Sequence, residues 1–158
     1  MTDIEKPAHE FVLVSEFDDL LTAQCRALRI NVFVDEQKFP ADAEIDECAY
    51  AKEIDVSTKA PFIVRYDEPG RSIHILLRLL PSNEPLGTVR LVVALGKVGR
   101  LCILPPYRKF GFGRDLMNHC HETARSKYGL KKAQLHSQVP VISFYERYAQ
   151  LTSLYVSN

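Results

Sequence analysis

The apolar positions of this chain follow two different periods, and together they predict both strands and helices. Short apolar runs between turn residues predict strands. These runs lie at 10–14, 61–66, 72–80, 86–94, 97–104, 132–137 and 151–156. Longer stretches with a helical period predict helices at 17–34 and 112–127, and a short helix is expected after Pro140, at 141–148. The strands around tight turns indicate an antiparallel meander, and the whole chain reads as an α+β fold.

Both long helices carry an apolar stripe and a plausible signal at one end. The first stripe consists of Leu21, Cys25, Leu28 and Val32, and the second of Leu116, Met117, Cys120 and Ala124. Ser15 is expected to cap the first helix, because its side-chain oxygen can accept one of the N–H groups left open there. Gly129 is expected to end the second helix. The acidic stretch 42–53 after Pro40 reads as a loop with one helical turn.

A turn that contains two glycines separates an apolar run from the second long helix. The run 101–104 is followed by Pro105-Pro106-Tyr107 and then by Arg108-Lys109-Phe110-Gly111-Phe112-Gly113. A strand, a glycine turn and a helix in this order direct several backbone N–H groups at one point, which suits a phosphate or pyrophosphate. Arg108, Lys109 and Arg114 add positive charge.

The spacing Arg-x-x-Gly-x-Gly resembles the coenzyme A loop of the GCN5-related N-acetyltransferase (GNAT) superfamily. Three further segments, at 29–37, 85–91 and 144–146, resemble the first helix, the third strand and the Phe-Tyr pair of that superfamily. The resemblance spans roughly residues 15 to 148. It implies the GNAT acyl-CoA N-acyltransferase fold, a mixed and mostly antiparallel sheet flanked by helices. It also implies an acetyl-CoA-dependent N-acetyltransferase that moves an acetyl group to a primary amine by direct attack.

The same resemblance implies where acetyl-CoA would bind. Its pyrophosphate would lie against the turn that Arg108 opens, and its pantetheine arm would pair with a strand that splays to free an N–H for the thioester carbonyl. Gln138 stands where many relatives bind the arm with an amide. The turn residues are Lys109, Phe110, Gly111, Phe112, Gly113 and Arg114. The strand residues are Leu101, Cys102 and Ile103.

Two residues are assigned catalytic roles by this resemblance. Tyr145, in Phe144-Tyr145-Glu146, is the candidate general acid that protonates the leaving thiolate. Glu36 is the candidate that faces the amine and accepts its proton. Glu44, Asp46 and His136 stay open as alternatives for the base, with loop or packing roles as the competing interpretation.

Two departures from the family pattern leave a second function open. The Gly-Phe pair expected after 144–146 is absent, so a last hairpin is missing or replaced, and 51–59 is an insert. An exposed sheet edge would need cover, for which a homodimer is one solution. The alternative function is a non-catalytic acyl-CoA-binding or protein-interaction relative.

Length, composition and residue spacing argue against several classes of protein. A length of 158 residues predicts a single domain, 1–158. Equal numbers of basic and acidic residues, 20 each, argue against broad nucleic-acid binding. No apolar run approaches a membrane span, and no metal-ligand spacing is present around His119 and His121. Cys25, Cys102 and Cys120 lie in apolar segments and are expected to be buried thiols. We therefore expect a cytoplasmic protein (or a nuclear one) that takes a small-molecule or peptide amine, without metal, nucleic acid or membrane.

Overall fold

The computed structural model describes residues 4–15, 17–41, 47–48, 64–65, 70–137 and 152–156. The strands are β1 His9–Val14, β2 Glu47–Cys48, β3 Val64–Arg65, β4 Ser72–Leu79, β5 Pro85–Val92, β6 Lys97–Ile103, β7 Ala133–Ser137 and β8 Thr152–Val156. The α-helices are α1 Asp19–Arg29 and α2 Phe112–Tyr128. A π-helix covers Ile30–Glu36, and 3-10 turns cover Val93–Leu95 and Pro105–Phe110.

Six of these strands form one sheet in the order β1-β4-β5-β6-β7-β8, while β2 and β3 pair separately. The pairs from β1 to β6 are antiparallel, as the sequence predicts for a meander. The pairs β6–β7 and β7–β8 are parallel. The prediction of a mixed, mostly antiparallel sheet is therefore confirmed, and the last predicted strand lies beside β7.

The two α-helices cover opposite faces of this sheet. Ile75 and Leu77 of β4 belong to the core cluster that contains the buried stripe of α2, whereas Leu76 belongs to the cluster of α1. Successive side chains of a strand point to opposite faces, so neighbouring residues enter different cores. Both apolar stripes predicted from the sequence contribute to these cores. None of the helices in the described ranges is long and apolar enough to cross a membrane.

The start of α1 differs from the prediction. Asp18 caps the helix, and its Oδ1 accepts the N–H of Leu21 at 2.9 Å. The Ser15 hydroxyl instead accepts the N–H of Phe17 at 3.3 Å. The predicted cap, Ser15, was therefore wrong, and the cap lies three residues later. Both side chains carry an oxygen, but only that of Asp18 is close enough to the first turn of the helix.

The end of the first helix also departs from a simple pattern. From Ile30 to Glu36 the chain is a π-helix, and Gln37 donates its N–H to the carbonyl of Val32 at 3.0 Å. Such wide turns are rare and often occur at functional sites. The extra residue per turn shifts the direction of the side chains that follow, so the position of Glu36 could not be read from an α-helical period.

Candidate active site

A bulge interrupts β6 directly before the residues predicted to pair with the pantetheine arm. Thr88 pairs with Cys102, but Arg90 pairs with Gly99, so two residues of β6 stand opposite one residue of β5. One of the two, Arg100, has a φ of +54°. A non-glycine residue in this left-handed region is uncommon and is often found at a binding or active site.

This bulge reverses which residues of β6 turn toward β7. Before it, the carbonyl of Gly96 accepts the N–H of Gln134 on β7 at 2.7 Å. After it, Leu104 donates its N–H to Leu86 on β5 at 2.8 Å. Since backbone groups alternate along a strand, Cys102 then also faces β5, while Leu101 and Ile103 face away from it.

The two parallel strands separate at the same level. β6 and β7 pair only at Lys97 with Gln134 and at Val98 with Leu135. Among the described residues, the ladder between β6 and β7 does not continue beyond Val98. Leu101 and Ile103 therefore lie beyond the part of β6 that pairs with β7 in the described residues.

The three strand residues predicted to bind the pantetheine arm differ in the direction of their backbone groups. Leu101 and Ile103 lie where a bound arm can pair with the backbone, but the backbone of Cys102 turns to Thr88 on β5. The Cys102 side chain is 4% exposed and packs in the cluster of α1 with Leu28. Cys102 stays a predicted contact of the pantetheine arm, but its backbone is directed toward β5 rather than away from it.

The glycine turn and the start of α2 follow directly on this edge. Gly111 has a φ of +73°, and it precedes the helix without any side-chain cap. The first helical bond runs from the N–H of Asp115 to the carbonyl of Gly111 at 3.3 Å. The N–H groups of Phe112, Gly113 and Arg114 precede that bond, so they have no carbonyl one turn earlier in the helix. They form a cradle suited to an anion.

Arg108 does not point its guanidinium into this cradle. Its Nε donates to the carbonyl of Ile103 at 2.9 Å, and its two terminal nitrogens donate to the two carboxylate oxygens of Glu36, each at 2.6 Å. Two predicted site residues from distant parts of the chain are thus joined in one bidentate pair. Arg108 ties the end of β6, the glycine turn and the π-helix together.

The pair changes the acid-base properties of both partners. The hydrogen bonds from Arg108 lower the pKa of Glu36, and the bond to Glu36 raises the pKa of Arg108. A lowered pKa makes Glu36 a weaker proton acceptor than an ordinary carboxylate for as long as the pair is closed.

We expect Glu36→Gln to destabilise the protein by up to about 1 kcal/mol near pH 7, as for other exposed ion pairs. The folded pKa of Glu36 is below its ordinary value of 4.5. Its contribution is therefore complete above that value and is lost as the pH falls through the folded pKa. Urea unfolding from pH 7 to pH 3 should show the two proteins converging in acid. Asp35→Asn, a change at the neighbouring exposed acid, is the control, and a deficit of Glu36→Gln that is independent of pH would contradict the assignment.

Sequence reasoning missed a buried polar group on the α1 side of the sheet. Arg29 and Arg90 are 1% and 2% exposed, and a terminal nitrogen of Arg29 lies 3.4 Å from Nε2 of the buried His74. Arg29 lies in α1 and Arg90 in β5, both within segments that are otherwise largely apolar. No local sequence pattern distinguishes a buried arginine from an exposed one. The contact could have been found only by pairing α1 with β4.

Several predicted residues lie outside the described part of the chain. These are Gln138, Phe144, Tyr145, Glu146, Glu44 and Asp46, together with the predicted helix 141–148 and the insert 51–59. The backbone of His136 belongs to β7. Within the described residues, no group of three or more His, Cys, Asp or Glu side chains could hold a metal ion.

A separate cavity lies at the other end of α2. It has a volume of about 270 Å³ and is lined by residues that include His121, Arg125, Gly129 and Lys132. Burial, and then the charge of Arg125, lower the pKa of His121. The seventeen residues of α2 separate this cavity from Gly111 by roughly 25 Å at 1.5 Å per residue. It is therefore separate from the glycine turn and the start of α2.

Comparisons with known proteins point to one family. Residues 62–148 match the family model of the acetyltransferase (GNAT) domain. A Bacillus subtilis relative described as a "putative acetyltransferase" is 33% identical over 129 residues, which cover 80% of this chain and 74% of the relative. A Lactobacillus plantarum N-acetyltransferase homologue of known crystal structure has a TM-score of 0.65 at 28% identity, covering 89% of this chain and 83% of that one. Escherichia coli ElaA shares the fold, with a TM-score of 0.63 at 22% identity over 89% of this chain and 85% of its own.

Proposed function

Since this chain belongs to the GNAT acetyltransferases, we propose that it is an acetyl-CoA-dependent N-acetyltransferase that acetylates a primary amine by direct attack. The observation that carries the proposal is the edge of β6 at the Arg100 bulge, where pairing with β7 ends in the described residues, followed directly by the anion cradle at the start of α2. A strand edge followed by a cradle matches a ligand with an amide-containing arm and a pyrophosphate.

The described residues fit such a ligand in a specific way. The backbone of Leu101 and the N–H of Ile103 would pair with the arm, while the carbonyl of Ile103 already accepts a bond from Arg108. The N–H groups of Phe112, Gly113 and Arg114 would hold the pyrophosphate. Lys109 and Arg114 would add positive charge, with Phe110 and Gly111 shaping the turn between them. Acetyl-CoA, when bound, would supply the thioester whose acetyl group is transferred.

Proton transfers complete the proposed reaction. The amine nitrogen bonds to the acetyl carbon as the C–S bond breaks, and the N–H of the bulge would polarise the carbonyl oxygen. We propose that Tyr145 gives its proton to the departing sulfur. Glu36 would receive the amine proton, a role that requires the pair with Arg108 to open, because the closed pair lowers the pKa of Glu36. Gln138 is proposed to bind the pantetheine arm.

Turnover with a panel of primary amines tests this function. The protein is mixed with acetyl-CoA and with polyamines, amino acids or peptide N-termini, and free thiol is measured over time. Thiol release that depends on the amine is the expected result. Binding of acetyl-CoA without amine-dependent release would instead support a non-catalytic acyl-CoA-binding relative.

A second test addresses the general acid. We expect Tyr145→Phe to lower kcat by about a hundredfold while KM for acetyl-CoA changes little, since general acid catalysis contributes about 100-fold or more. Tyr148→Phe is the matched control in the same segment. An unchanged kcat for Tyr145→Phe across the pH range would contradict the role of Tyr145.

A further inference from the structure

The segment before β1 crosses the start of α2. Nζ of Lys6 forms an ion pair with Oδ2 of Asp115 and lies 5.4 Å from the ring centroid of Phe112. The carbonyl of Pro7 is 2.8 Å from Nδ1 of His9, whose ring meets that of Phe112 edge-on at 4.8 Å. The position of Lys6 is therefore supported by several contacts with the first turn of α2.

Asp115 is an acid placed beside a predicted anion site. It lies in the first turn of α2, directly after the N–H groups of Phe112, Gly113 and Arg114. A carboxylate there stabilises the helix through the helix dipole, but it also repels a pyrophosphate held at the same end. Arg114 contributes one partial counter-charge, with its Nε 3.6 Å from Oδ1 of Asp115.

We propose that Lys6 is a coenzyme-affinity residue that acts through Asp115. This inference rests on the proposed binding of acetyl-CoA at the turn. By pairing with Asp115, Lys6 cancels a negative charge next to the cradle and leaves the N–H groups and Arg114 to act on the pyrophosphate. The side chains of Lys6 and Asp115 are 33% and 23% exposed, so the pair is only partly screened by solvent.

The charge role predicts different changes in Kd for Lys6→Met and Asp115→Asn. If the ion pair only held the segment in place, both variants would weaken binding. Lys6→Met leaves Asp115 unpaired, and we expect Kd for acetyl-CoA to rise roughly threefold to tenfold at low salt, with the difference shrinking as salt is added. Asp115→Asn breaks the same ion pair but removes the repelling charge, so its Kd should equal or fall below that of the wild type. The double variant carries neither charge, so its Kd should be close to that of the wild type.

Isothermal titration of acetyl-CoA into the four proteins provides the measurement, with thermal unfolding recorded for each. Lys127→Met is the matched control, because Lys127 also lies over a ring, 5.7 Å from the centroid of Tyr128, at the far end of α2. Its Kd should match the wild type. Weaker binding by Asp115→Asn, of the same size as in Lys6→Met, would overturn the charge role and leave a docking role for the segment.

The outcomes also separate this inference from the proposed function. A folded wild type that does not bind acetyl-CoA would contradict the proposed function itself. A wild type that binds, with Lys6→Met binding equally well, would contradict only the role of Lys6.

Discussion

Gly111→Glu is expected to raise Kd for acetyl-CoA by about a hundredfold or more. The new carboxylate would stand at the cradle formed by the first N–H groups of α2, where the pyrophosphate is proposed to bind. Two like charges about 5 Å apart repel by roughly 3 kcal/mol at the effective dielectric near a protein surface. That energy corresponds to about a hundredfold in Kd.

Gly129→Glu is the matched control for this change. Gly111 and Gly129 stand at opposite ends of α2, with φ of +73° and +64°. Among the described residues, a Cβ at Gly111 would meet a terminal nitrogen of Arg114 at 3.7 Å, and one at Gly129 would meet no atom within 4 Å. Both variants therefore carry a similar left-handed strain of roughly 1–2 kcal/mol. Equal loss of acetyl-CoA binding in the two would show that strain, rather than position at the cradle, explains the effect.

Gly87→Ala is expected to lower the free energy of unfolding by about 1–3 kcal/mol, the usual range for overpacking of a dense core. A Cβ on Gly87 would lie 2.4 Å from Cδ1 of Ile103 and 2.7 Å from the carbonyl oxygen of Cys102. The Ile103 side chain can move, but the carbonyl is part of β6, so β5 and β6 would have to separate. Because the affected residues border the edge of β6 at the Arg100 bulge, the variant should also bind acetyl-CoA less tightly.

Gly99→Ala provides the matched control in β6. A Cβ there would meet no atom of the described part of the chain within 4 Å, and the backbone of Gly99 is not in the left-handed region. Its free energy of unfolding should stay at the wild-type value or rise slightly, because alanine reduces the freedom of the unfolded chain. Chemical denaturation of both variants measures the difference. Similar stability of the two would mean that β5 and β6 do not approach as closely as described.

Local patterns were sufficient to predict most of the fold. The stripe of α2 and its end at Gly129 could be read from spacing, since a helix buries every third or fourth residue and glycine readily adopts the left-handed end. The strands 72–79 and 85–92 were found from apolar runs and the turn between them. The glycine turn could be placed between a strand and α2 because its residues are contiguous in the sequence.

Features that depend on distant contacts could not be predicted in this way. The bulge is a shift in the register between β5 and β6, which depends on residues distant in the sequence. The positive φ of Arg100 could not be predicted from its residue type. The pairing of Glu36 with Arg108 spans 72 residues and that of Lys6 with Asp115 spans 109. The direction of the Cys102 backbone could not be predicted for a related reason, since alternation along β6 is known only once the bulge has been located.

Amide hydrogen exchange, followed residue by residue by NMR with and without acetyl-CoA, tests the binding site most directly. The bulge predicts that the amides of Leu101 and Ile103 exchange quickly in the free protein and slow down on binding, together with those of Gly113 and Arg114. The amide of Cys102 should be protected already, because it faces β5. Protection of Cys102 alone on binding, or no change at Leu101 and Ile103 in a protein that binds acetyl-CoA, would contradict the proposed site.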